Sequence, residues 1–239
     1  MKIRIVIPAR LESIRFPNKL IKKINKKTII EHIFDHAKKI PSDSLILATD
    51  SIKLKEIAID NNITFWYSKK KYHCGTERIA AACKDLEFNK KDIIVNIQGD
   101  EFNFPINSIK KLIKYLKNMR RNEVATIVAK NKSKNAFNNR DQVKVILNKN
   151  NYAKYFSREP IPHKINSMFY EHIGVYGYNV STLERYSQLD KSPYEKVENL
   201  EQLRFIWNDV PIKCICENKN DSISINSPND LKLAKRMFR

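Results

Sequence analysis

Apolar runs of strand length alternate with amphipathic segments of helix length through the first hundred residues, and that alternation leaves few architectures open. KIRIVI (2–7) is a continuous apolar run, and TIIEHIFDHAKKI (28–40) has apolar positions at helical spacing with lysines in its last turn. SLILAT (44–49), the helix-like KLKEIAIDN, ITFWYS (63–68), the helix ERIAAACKDL (77–86) and the buried-strand pattern DIIVNIQ (92–98) continue the series. Fully apolar strands separated by helices imply a mainly parallel sheet covered on both faces. The predicted fold class is therefore α/β and Rossmann-like.

The second half breaks this rhythm. VKVILNKNNYAKYFSR (143–158) reads as a hairpin about a polar NKNN turn, SMFYEHIGVYGYNV (167–180) as a strand and VENLEQLRFIWN (197–208) as a helix. PIKCIC and SISI follow, then a helix from Ser227, where SPND supplies a capping serine, a proline at the first helical position and an acid in the first turn. A chain of 239 residues supports one substantial core and not two ordinary enzyme domains. One domain, 1–239, is expected, with a β-rich insertion at about 140–210.

Several function classes are set aside on composition. The formal charge of +19 suits nucleic acid, but Lys, Asn and Ile are raised everywhere, as in KKINKK and KNKSKNAFNNR. No basic stripe interleaves with aromatics and no helix-turn-helix, RRM or zinc-finger pattern appears, so no nucleic-acid partner is expected. No apolar run approaches the roughly 20 residues of a membrane span, and no basic-then-apolar leader opens the chain, so a cytoplasmic protein without a membrane partner is expected. Cys74, Cys83, Cys214 and Cys216 form no CxxC pair and read as buried thiols. His32 and His36 lie four apart, but Ile33 stands where a zinc-protease helix needs glutamate, and no metal is expected there.

Glycine is more informative. Average usage would give roughly 17 glycines in such a chain, yet it has four, Gly75, Gly99, Gly174 and Gly177, all within HCGTER, NIQGDE and HIGVYGY. Each is expected where a Cβ would clash or where φ is positive.

In a doubly wound sheet, ligands bind beyond the carboxyl ends of the strands. IPARLESIRFPNKL (7–20), HCGTER and QGDE fall there. The first carries Arg10, Arg15 and Lys19 in a loop anchored by Pro8 and Pro17 and without glycine, so it would hold a polyanion by side chains, as suits a triphosphate. Asp100, ending a buried strand just after Gly99, is placed to hold the Mg²⁺ that a triphosphate needs. Thr76 would read the edge of a base or cap a helix, and Arg78 would serve a phosphate or pair with a carboxylate. Together these segments point to nucleotidyl transfer.

IPARLESIRFPNKL, HCGTERIA, NIQGDE, YFSREPIP, HIGVYGY and NLEQLRFIW, in that order, resemble the 3-deoxy-manno-octulosonate (Kdo) cytidylyltransferases, a likeness running from about residue 3 to 236. The resemblance implies a nucleotide-diphospho-sugar transferase-like fold with a sugar-binding and dimerisation insertion, and a homodimer. It also implies a Mg²⁺-dependent reaction of CTP with Kdo that yields CMP-Kdo and pyrophosphate for lipopolysaccharide biosynthesis. Arg10, Lys19 and Asp100 would be catalytic. Pro8, Ala9, Arg15, Cys74, Gly75, Thr76 and Arg78 would join Arg10 and Lys19 around the nucleotide. Gln98, Arg158, His172, Tyr176, Glu201 and Gln202 would bind the sugar, and Asp100 with Asn226 the metal.

The departures are specific. INSPNDL places Asn226 where the family has aspartate, which removes a charge from one metal position, with Asp221 or Asp230 nearby as substitutes. Asn18 stands for a usual glycine, Cys74 for serine and Phe102 for proline. Two alternatives stay open: a cytidylyltransferase for a related acidic sugar such as 8-amino-Kdo, and a CTP-binding homologue weakened by Asn226.

Overall fold

The computed structural model describes residues 1–13, 15–119, 123–164 and 168–237. Ile14 of the opening loop and Ser167 at the start of the expected strand lie outside them.

β1 (Ile3–Ala9) runs through the middle of the first half. After it come a small hairpin of β2 (Lys23–Ile24) and β3 (Lys27–Thr28), α1 (Ile29–Ala37), β4 (Ser44–Thr49), α2 (Ile52–Asp60), β5 (Thr64–Tyr67), α3 (Gly75–Asp85) and β6 (Ile93–Ile97). β5, β4, β1 and β6 lie side by side and parallel, as the apolar runs require. α1 starts where Thr28 and Glu31 cap each other's backbone amides reciprocally. α3 begins at Gly75, earlier than the ERIAAACKDL pattern suggests, so HCGTER forms the helix start itself.

The second half contains β7 (Glu101–Phe102), α4 (Ile106–Asn118), β8 (Val124–Asn131), α5 (Lys134–Asn138), β9 (Lys144–Leu147), β10 (Ala153–Ser157), β11 (Phe169–Asn179), α6 (Val180–Tyr186), α7 (Pro193–Glu198), α8 (Leu203–Trp207), β12 (Ile212–Glu217), β13 (Ile223–Ser224) and α9 (Pro228–Arg236). β11 joins the halves: one edge runs antiparallel to β6 and β9, the other antiparallel to β8. β12 lies parallel beside β8, and β9 with β10 forms the expected antiparallel hairpin, giving a nine-stranded sheet. α1 and α4 pack on one face, and α3, α6 and α8 on the other. Among the described residues no helix is long and apolar enough to cross a membrane.

Two expectations need correction. The helix read over 197–208 is broken: α7 ends at Glu198, its cap Asn199 takes a left-handed φ of 52°, and α8 starts only at Leu203. Asparagine tolerates that conformation, and the turn lets Leu200 enter the core. The cysteines are all free, but Cys74 and Cys216 are only partly buried. His32 and His36 bond to the carbonyls of Ile24 and Phe104 respectively, which directs them to separate partners.

No glycine has a positive φ; the left-handed positions among the described residues belong to Asn18, Asn25, Asn62, Asn103, Asn151 and Asn199, with Glu87 and Asp209. The glycines instead mark close approach. A Cβ on Gly177 would overlap the side-chain ends of Leu112 and Leu116 of α4, both buried. Gly177→Ala is expected to lower the unfolding free energy by about 1–3 kcal/mol through overpacking, measured by denaturant unfolding with an unchanged m-value.

Candidate active site

The parallel strands end in a crevice that divides into two connected parts. The first is lined by every residue expected to hold the nucleotide except Thr76. The second is lined by all six expected sugar residues, and Arg10, Arg15, Asp100 and Asn226 face both parts.

The opening loop reaches Asp100 through a turn that its sequence allows. Asn18 adopts φ 55°, its amide donates to Leu11 O at 3.3 Å, and buried Leu20 anchors the helical turn Lys19–Ile21. Lys19 Nζ then lies 2.5 Å from Asp100 Oδ2 and 3.1 Å from Asn226 Oδ1. Arg15 donates to the same amide oxygen at 3.2 Å and pairs with Asp141. Asn226 comes from the far end of the chain, delivered by the β7–β13 ladder and by Ile225 N donating to Asp100 O at 2.9 Å. Neither nearby acid replaces its missing charge: Asp230 accepts from Asn226 N, Ser227 N and Ser227 Oγ as the cap of α9, and Asp221 pairs with Lys219 at 3.0 Å.

HCGTER resolves in favour of packing at two positions. Thr76 does not cap α3; its amide and hydroxyl donate to the Glu201 carboxylate at 3.2 and 3.0 Å. Glu201 thus holds the positive end of α3 from across the fold. Arg78 pairs with Asp50 at 2.7 Å, while its buried Nη1 has no partner among the described residues. Gly75 lets Pro8 and the Gln98 amide approach; a Cβ there would lie 3.2 and 3.3 Å from them. Burial, with Glu201 close by, pushes the Cys74 thiol far up, so it stays neutral.

In the second part, Arg158 Nε donates to Glu198 O at 2.7 Å and Nη1 to Arg140 O at 3.1 Å, which fixes the guanidinium. His172 packs edge-on against Phe156 and tilts against Tyr176. Burial depresses its pKa to about 3, so it is neutral. Gln202 Nε2 is buried beside the same cavity without a partner among the described residues.

Three residues not singled out in the sequence complete the site. Glu101 is buried and accepts from Ser224 Oγ at 2.6 Å and Gly174 N at 3.1 Å, tying β7, β11 and β13 together, and burial raises its carboxyl to about 7. Lys144 is fully buried and donates to Asn139 O and Gln142 O at 2.9 Å and to Arg158 O at 2.5 Å. It pins the loop that carries Asp141. Glu101 was legible in QGDE as an acid following an aspartate, whereas Lys144 and Asp141 sit in stretches with no spacing to mark them.

His172 predicts a pH dependence. The unfolded chain takes up its proton near pH 6.5 and the folded chain near 3, so stability falls as pH drops between those values. His172→Gln is expected to flatten that limb, read from unfolding temperatures at about pH 4 to 8.

Comparison with known proteins fits this geometry. A family model described as cytidylyltransferase matches residues 4–215. A 3-deoxy-manno-octulosonate cytidylyltransferase of Francisella tularensis subsp. novicida (strain U112) is 39% identical over 245 residues, covering 99% of this chain and 98% of that protein. Another from Coxiella burnetii (strain Dugway 5J108-111) is 33% identical over 249 residues, covering 100% of both. A solved CMP:2-keto-3-deoxy-manno-octonic acid synthetase complexed with CTP superposes with a TM-score of 0.89 at 28% identity, covering 100% of this chain and 98% of that one. The chain belongs to the cytidylyltransferase family, among its 3-deoxy-manno-octulosonate cytidylyltransferases.

Proposed function

We propose that this protein transfers the cytidylyl group of CTP to Kdo, giving CMP-Kdo and pyrophosphate. The observation that carries the reading is the linked set in which Lys19 bridges Asp100 and Asn226 and Arg15 joins Asn226, with a second cavity of polyol-binding character alongside. Arg10, Arg15 and Lys19 offer their cations to the triphosphate, Lys19 exchanging its contact with Asp100 for phosphate oxygens. Pro8, Ala9, Cys74 and Gly75 shape the base and ribose end, where the unpartnered Arg78 Nη1 is a donor in waiting. Arg158 offers its charge to the sugar carboxylate, while Gln98, His172, Tyr176 and Gln202 meet hydroxyls; Glu201 acts through α3. The anomeric oxygen of Kdo attacks the α-phosphorus, its proton is released, and the bond to pyrophosphate breaks. Positioning and charge neutralisation carry that step.

Mg²⁺ belongs to the same proposal. Among the described residues no group of three His, Cys, Asp or Glu is arranged to hold a metal. One carboxylate, the amide oxygen of Asn226 and substrate phosphates is a fitting donor set for this ion. Asp100 and Asn226 would hold it, and when bound it neutralises the triphosphate. The product would serve lipopolysaccharide assembly in the cytoplasm.

A homodimer is proposed from an aromatic patch beside edge strand β10. Tyr194 lies between Tyr155 and Trp207, with ring centroids 6.1 and 5.7 Å away, and Val197 is 80% exposed next to them. A second copy of the chain fits such a surface.

Two measurements test these readings. Pyrophosphate release is expected to require CTP, Kdo and Mg²⁺, with CMP-Kdo identified by mass. Asp100→Ala is expected to lose at least about a hundredfold in kcat, and Asn226→Asp to reduce the Mg²⁺ needed for half-maximal rate several-fold. Release with other nucleotides, or unaffected by Asp100→Ala, would refute the assignment. Light scattering is expected to give a dimer that the pair Val197→Asp, Trp207→Glu converts to monomer, whereas a monomeric wild type would remove the dimer proposal.

A further inference from the structure

We propose that Thr126 sets the tautomer of His172 and so makes the imidazole a hydrogen-bond acceptor for the sugar; this rests on the reading of the second cavity as a sugar site. Thr126 is completely buried on β8, within the stretch where the register of β11 slips between Ile173 and Tyr176. Its hydroxyl has one proton, and that proton goes to Val175 O at 2.7 Å, because a carbonyl can only accept. The 3.0 Å contact between Thr126 Oγ1 and His172 Nε2 therefore requires the proton on Nε2.

The other ring nitrogen then carries a lone pair. Nδ1 has no partner among the described residues and is not one of the buried unpartnered atoms, so it opens onto the cavity that the ring lines. Burial keeps the ring neutral at physiological pH. A ligand hydroxyl that donates is thus accepted at Nδ1, while a group with no proton to give meets two lone pairs in opposition. Thr126 touches no ligand; it is a positioning residue that acts through His172.

The test combines nitrogen NMR of the ligand-free protein with kinetics. Wild-type protein is expected to show His172 as the Nε2–H tautomer, its signals assigned by their loss in His172→Gln. Thr126→Val is expected to abolish that preference and raise the KM for Kdo about tenfold, leaving the KM for CTP within about twofold. Thr126→Ser, which keeps the hydroxyl, is expected to retain the tautomer and the KM. An Nδ1–H tautomer in the wild type, or a Thr126→Val variant whose two KM values rise together, would overturn the proposal. If Thr126→Val does not fold, the wild-type and Thr126→Ser spectra decide. An absence of turnover with CTP and Kdo in the wild type would overturn the substrate reading instead, with the spectrum still deciding the tautomer.

Discussion

The site depends on how closely the ends of β1 and β6 approach one another at Gly99. A Cβ on this residue would lie 2.9 Å from Pro8 O and 3.2 Å from the Ala9 Cβ. Backbone cannot yield there as a flexible side chain would, so any larger residue would part the strands. Closed together, they bring the loop of Arg10, Arg15 and Lys19 over Asp100, and a lysine of limited reach makes a 2.5 Å contact.

The chain divides two backbone tasks between two residue types. Turns that need a left-handed residue mostly use asparagine, including Asn18 before Lys19 and Asn199 between α7 and α8. Glycine is kept for places where a Cβ would collide, such as Gly174, where it would meet Glu101 Oε2 at 2.8 Å. The economy follows from physical tolerance: asparagine enters the left-handed region at small cost, but only glycine lacks the Cβ.

Polar groups withdrawn from solvent organise the second cavity. Buried Lys144 and Glu101, and the half-buried Glu201, are each held by more than one hydrogen bond, as the cost of desolvating a polar group demands. Each joins segments far apart in sequence. Glu201 holds the start of α3 from the turn between α7 and α8, Glu101 draws β13 and hence Asn226 towards Asp100, and Lys144 fixes the loop facing Arg15. Two of these groups, Glu101 and Glu201, also line the cavity.

The sequence by itself determined the alternation of strands and helices, the hairpin, the cap of α9 and the gathering of Arg10, Arg15, Lys19 and Asp100 near one another. These follow from periodicity and from the rule that loops after parallel strands share an edge. It did not reveal that the run 197–208 is broken, because a left-handed asparagine costs little and leaves the apolar spacing intact. Nor did it reveal the partners of Thr76, Arg78 or His172. Those pairings, Thr76 with Glu201, Arg78 with Asp50 and His172 with Thr126, span 125, 28 and 46 residues. Only the tertiary structure decided them, since hydrogen bonding selects on distance and angle in space, and local pattern carries no record of which distant polar group will arrive.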